Sequence, residues 1–104
     1  MTDNNFVTEA EISLYLEALY LEAWEKWGPQ PQLTMINEEC AELIQAVCKN
    51  LRNDNPTTEN HIVEEMADVV IMIEQYLVVK NLGEYYYKIR QMKLERLKEK
   101  LKDV

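Results

Sequence analysis

Ile36-Asn37-Glu38-Glu39-Cys40-Ala41-Glu42-Leu43-Ile44 and Ile62-Val63-Glu64-Glu65-Met66-Ala67-Asp68-Val69-Val70 are two copies of one pattern, 26 residues apart. Ile36 matches Ile62, Glu38 matches Glu64, Glu39 matches Glu65, Ala41 matches Ala67 and Glu42 matches Asp68, and the correspondence runs on to Leu51 and Leu77. At about 100° per residue, Ile36, Cys40, Leu43, Val47 and Leu51 fall on one helical stripe, and Ile62, Met66, Val69, Ile73 and Leu77 on its counterpart. On each helix the first acid, Glu39 or Glu65, lies at the margin of the stripe, and the second, Glu42 or Asp68, one turn further along the same ridge. Packed antiparallel by these stripes, the helices acquire a quasi-twofold relation that turns the acidic margins toward each other, so that four carboxylates converge.

Outward from this repeat the chain divides at its few turn signals. A Thr8-x-x-Glu11 capping box opens a first helix after a short polar tail, Met1 to Val7, and Gly28-Pro29-Gln30-Pro31 stops it after Trp27. The second helix is expected from about Leu33 to Leu51, ending in Asn53-Asp54-Asn55-Pro56. The third begins after Thr57 or Thr58 and runs to about Lys80, with Gly83 as a left-handed cap, and the fourth begins near Glu84. Two glycines and three prolines in 104 residues are too few for an all-β chain. The expectation is therefore an all-α, four-helix-bundle-like single domain over residues 1–104, with connections of three to seven residues and antiparallel neighbours.

Hydrophobic residues at 47% and charged residues at 29% exclude the disordered and collagen-like classes. Nineteen acids against eleven bases, a net charge of −8, repel a nucleic-acid polymer. The only histidine, His61, rules out zinc sites built from several imidazoles and reads as a structural or surface residue near a helix start. Cys40 and Cys48, eight apart on one helix and so roughly 12 Å apart, are too distant for an internal disulfide and are expected as reduced, buried thiols. No signal-like N-terminal segment and no apolar run near 18 residues is present, so the sequence predicts a soluble cytoplasmic protein without membrane contact.

Four anions gathered at the edge of a core repel one another and lose hydration, which is costly without a counter-cation. Carboxylate oxygens suit hard divalent cations, magnesium foremost, with manganese as a substitute. A single Glu-x-x-Glu is usually a solvated helix face, but two matched pairs in register are not easily read so. A di-iron bundle needs Glu-x-x-His on two helices, and the residue three before His61 is Thr58.

Glu39-x-x-Glu42, a gap of 22 residues, and Glu65-x-x-Asp68 on an α-helical chain of this length resemble the MazG-like family of all-α nucleoside triphosphate pyrophosphohydrolases. The resemblance covers Trp24 to Leu77, including the Trp27-Gly28-x-x-x-Gln32 lead-in. It implies that Glu39, Glu42, Glu65 and Asp68 hold magnesium, and that a nucleoside triphosphate is cleaved between its α and β phosphates to monophosphate and pyrophosphate, in the manner of a nucleotide-pool house-cleaning enzyme. The wider superfamily adds phosphoribosyl-ATP pyrophosphatase and dimeric dUTPases as alternative activities. The family's Lys-x-x-x-Asn-x-x-Arg-like element has no clean match here; Lys93 with Arg96, or Lys80 with Asn81, stand nearest to it.

The remaining candidates are read from residue type. Glu38 or Glu39 is the candidate general base that orients water. Residues 85–104 carry seven lysines and arginines against three acids, whereas residues 1–84 carry four against sixteen, which makes the last helix, with Lys93 and Arg96, a candidate for holding phosphates; Lys49 and Arg52 are the alternatives. Trp24 and Trp27, on one ridge with Tyr20, are candidates for stacking on a base or for the core. Gln32 and Asn37 are candidates for reading base or sugar, and of Tyr85, Tyr86 and Tyr87 at least one must leave the helix face that packs. Val63, Ile71 and Val78 leave the third helix apolar almost all round, from which a homodimer or a dimer of dimers is expected, with that helix near the interface. A second class of function, a non-catalytic helical binding or regulatory module, treats the same acids as surface charge.

Overall fold

The computed structural model describes residues 9–102, with side chains from residue 13. These form four α-helices in the order α1 (Glu9–Trp27), α2 (Pro29–Arg52), α3 (Pro56–Val79) and α4 (Gly83–Lys102), with no strand among the described residues. The all-α reading holds, and the Thr8–Glu11 box lies outside the described residues.

The punctuation differs from the sequence expectation in three places. The second helix starts at Pro29, not Leu33: Gly28 turns the chain at φ 88°, and both prolines fall in the first turn, where a missing amide hydrogen breaks no helical bond. The α1–α2 connection is thus one residue long, shorter than the expected three to seven. The third helix starts at Pro56, capped by Asn55: the Thr58 amide donates to Asn55 Oδ1 at 3.0 Å and the Asn55 amide to Thr58 Oγ1 at 3.1 Å. The left-handed residue after α3 is Asn81, φ 56°, whereas Gly83 begins α4; asparagine tolerates that conformation better than other residues with a Cβ.

Packing is concentrated in α2 and α3, which share the largest interface. Their direction follows from their partners. Asn50 Nδ2 donates to Thr58 Oγ1 at 2.9 Å near the connecting turn, and Gln32 Nε2 donates to Gln75 Oε1 at 3.0 Å at the far end. Numbers fall along α2 as they rise along α3, so the two helices form the expected antiparallel hairpin. Helix α1 packs chiefly on α3, with Trp24 edge-on to Tyr76 and the Tyr20 hydroxyl donating to Glu74 at 2.7 Å. Among the described residues, helix α4 meets only α3, and none of its residues is buried. The radius of gyration, 17.2 Å, exceeds the value of about 13 Å for a compact chain of this length. Helices α1, α2 and α3 pack on one another, and α4 is attached to them through α3.

The buried line is also rotated from the expected stripes. On α2 it passes through Gln32, Glu39, Leu43, Ala46 and Asn50, and on α3 through Thr58, Glu65, Val69, Met72 and Tyr76, all buried or half-buried. Cys40, Val47 and Leu51 on α2 and Met66 and Ile73 on α3 are exposed, although the stripes included them. Cys40 and Cys48 are therefore free thiols at the surface, not buried ones. The physical reason is geometric: α3 is apolar around most of its circumference, and one neighbouring helix covers only one side. The side chosen carries small Ala46 and the first acid of each pair, and the outer apolar residues are left uncovered.

Candidate metal centre

Three carboxylates from two helices meet where the hairpin's inner line crosses its acidic margin. Glu39, Glu42 and Glu65 each offer an oxygen, and these oxygens lie within 4.8 Å of one another. Asp68, the fourth expected ligand, is not among them, although it is near enough to Glu39 to raise its carboxyl. The antiparallel register sets Glu39 beside Asp68 and Glu42 beside Glu65, and the quasi-twofold that maps Glu39 onto Glu65 maps one pair onto the other. Two copies of one sequence pattern thus build the two halves of one cluster.

The electrostatics of the cluster are those of a site short of positive charge. Burial, and then the neighbouring Asp68 and Glu42, hold the Glu39 carboxyl above its usual range. Glu65 is 9% exposed, and its Oε2 is buried with no hydrogen-bond partner. Its other oxygen, Oε1, lies 3.3 Å from His61 Nε2. A buried carboxylate oxygen without a donor is costly, and a cation among the four acids is the simplest partner for it. The donor set is entirely carboxylate oxygen, which fits magnesium or manganese and not a soft metal.

The other candidates divide sharply by position. Glu38 is exposed, one turn before Glu42 and outside the cluster. Gln32 is buried, its amide given to Gln75, whose own Nε2 approaches Met72 Sδ at 3.6 Å. Trp24 is buried in the α1–α3 contact with its Nε1 unpartnered, while Trp27 is 55% exposed, with the Lys26 ammonium 5.5 Å from its ring centroid. Lys93 and Arg96 lie exposed on α4, which does not touch α2, so the chain's own fourth helix does not bring them to the acids. Asn37 and Arg52 are exposed on α2, and Tyr85, Tyr86 and Tyr87 are all exposed on α4.

The contact of His61 with Glu65 is what reading the sequence did not supply. His61 stands near the start of α3, as expected, and its Nε2 lies against a carboxylate of the cluster, a contact signalled by the i,i+4 spacing from Glu65. No family model matches the chain, and no curated protein or solved structure matches it.

Proposed function

We propose that this chain is a magnesium-dependent nucleoside triphosphate pyrophosphohydrolase that converts a (d)NTP to the monophosphate and pyrophosphate. The observation that carries the reading is the convergence of Glu39, Glu42 and Glu65 from two repeated helical segments, with Asp68 beside Glu39 and one buried carboxylate oxygen left without a partner. The resemblance of the paired motif to MazG-like enzymes supports the choice of reaction.

In this mechanism the four acids hold the metal. A magnesium ion held there would offset the charge of the triphosphate and polarise the phosphorus under attack. Glu38 is exposed beside Glu42 and outside the cluster, which leaves its carboxylate free to accept the proton of an attacking water; Glu39 is the alternative base. The water oxygen bonds to the α-phosphorus, the bond from that phosphorus to the bridging oxygen breaks, and pyrophosphate leaves with the electron pair. His61 keeps the Glu65 carboxylate oriented toward the cluster through its Oε1 contact.

The assembly in this reading is a homodimer or a dimer of dimers. Val63, Met66, Val70 and Ile73 on α3 and Ile44, Val47 and Leu51 on α2 are exposed apolar side chains. By helical geometry they share the side of the hairpin opposite Glu42 and Asp68. Dimerisation through that side covers them and leaves the acids open.

Phosphorus NMR of the protein with magnesium and a panel of ribo- and deoxyribonucleoside triphosphates, with phosphoribosyl-ATP added, tests the reading. Monophosphate with pyrophosphate is the expected product pair, and the ranking of substrates separates house-cleaning, dUTPase-like and phosphoribosyl-ATP activities. Diphosphate with orthophosphate overturns the assigned reaction, and absence of turnover favours the binding-module alternative.

A further inference from the structure

Resting on the pyrophosphohydrolase reading, the geometry points to a cleft at the α2–α3 turn, lined by Lys49, Thr57, Thr58, Asn60, His61 and Glu64, as the seat of the distal phosphates of the substrate. The cleft encloses about 470 Å³, within the roughly 300–1,000 Å³ that small-molecule sites occupy.

Its place relative to the acids is fixed by helix geometry. Lys49 lies two turns beyond Glu42 on α2, and His61 two turns before Asp68 on α3, each within about 20° of that acid around its helix. The cleft therefore opens on the same side of the hairpin as the cluster, roughly 10 Å along the axis. His61 belongs to both, since it lines the cleft and contacts Glu65 at 3.3 Å. The path from carboxylates to cleft is continuous.

The lining suits a phosphate chain. Lys49 supplies a positive charge, and Thr57, Asn60 and His61 supply hydrogen-bonding groups, against one carboxylate, Glu64. Lys49 makes no ion pair among the described residues, while Asn50, next to it, is committed to Asp54 and Thr58, so the amide neighbour holds the turn and the ammonium stays available. Under the 26-residue repeat the positions equivalent to Lys49 and His61 at the other end of the hairpin are Gln75 and Met35, neither of them cationic, and Gln75 is bonded to Gln32. The site is thereby directional. The β and γ phosphates leave the metal toward the turn, and the nucleoside lies toward the α1 end.

Calorimetric titration of the full chain, first with Mg²⁺ alone and then with pyrophosphate in saturating Mg²⁺, tests this. Lys49→Met and Thr57→Val replace exposed side chains, so the fold is retained, and a melting curve verifies it. Both variants are expected to bind Mg²⁺ as the unmutated chain does. Lys49→Met should bind pyrophosphate roughly tenfold more weakly, through loss of a charge-assisted contact, and Thr57→Val about threefold more weakly. Lys93→Met should bind it unchanged. Unaltered pyrophosphate affinity in both cleft variants, or a loss found in Lys93→Met instead, overturns the cleft assignment while the metal site stands. Failure of the unmutated chain to bind Mg²⁺ overturns the metal reading and this inference with it.

Discussion

Helices α3 and α4 follow each other in the chain and are 24 and 20 residues long, yet they stand at opposite extremes of this molecule. Helix α3 contacts every other helix and contributes three buried polar or flexible side chains, Glu65, Met72 and Gln75. Helix α4 contacts α3 alone and buries nothing. Local pattern already separates them, since α3 is apolar around most of its circumference and α4 is studded with lysine and arginine. Helix α3 also has a matched partner in α2, a second copy of its own motif, and it takes α1 on another side through Trp24 and Tyr20, whereas α4 brings no such partner.

The largest effect expected from this contrast is on turnover. Asp68→Ala should lower kcat/KM roughly a thousandfold, as when a charge-stabilising group is taken from a reacting centre, whereas Arg96→Met on α4 should change it less than about twofold. Steady-state kinetics with the preferred triphosphate decides this. A large loss on α4 would break the comparison by showing that the last helix reaches a site after all.

Stability should sort the same way. Gln32→Ala leaves Gln75 Oε1 buried without its donor, at a cost of about 1–3 kcal/mol. Leu101→Ala, at a side chain 76% exposed, should stay within about 0.5 kcal/mol. Tyr20→Phe removes one hydrogen bond, to Glu74, and should cost about 1 kcal/mol. Urea denaturation of the three variants under one protein concentration gives the ranking. The phenol itself is pushed up to about 12 by burial and then by Glu74, so it stays protonated, and its bond intact, throughout the neutral range.

The smallest effect is a pH trend confined to the hairpin. Because the Glu39 carboxyl is raised in the folded state, by burial first and then by Asp68 and Glu42, the folded chain holds that proton more tightly than the unfolded one does. That contribution favours folding at low pH and is lost as pH rises through the raised value. In the absence of metal, the Tm of the unmutated protein should therefore fall relative to that of Glu39→Gln as pH climbs from the acid range toward 7. A constant difference between the two across that range would show that Glu39 does not feel its neighbours.

Much of the hairpin is legible in the residues. The 26-residue repeat marks α2 and α3, the short connection between them makes them antiparallel, and Glu39, Glu42 and Glu65 of the four expected acids come together there. The rotation of the interface is not legible. It depends on Ala46 letting the backbones approach and on which part of an almost wholly apolar helix is left outside, and neither is carried by periodicity. For the same reason Cys40 reads as core and lies at the surface, and Gln32 reads as a base contact and lies buried on Gln75. His61 escapes because an i,i+4 contact to an acid is common on helices and becomes informative only once Glu65 is found in a cluster.

The central claim is that four repelling carboxylates are gathered to hold a divalent cation. Thermal melting of the unmutated chain and of Asp68→Ala at neutral pH, with and without saturating Mg²⁺, addresses it most directly. The account predicts that Mg²⁺ raises the Tm of the unmutated chain, that Asp68→Ala melts higher than it in the absence of metal because one repelling charge is gone, and that the variant does not respond to Mg²⁺. An unmutated chain indifferent to Mg²⁺, or an equal shift in both proteins, would contradict it.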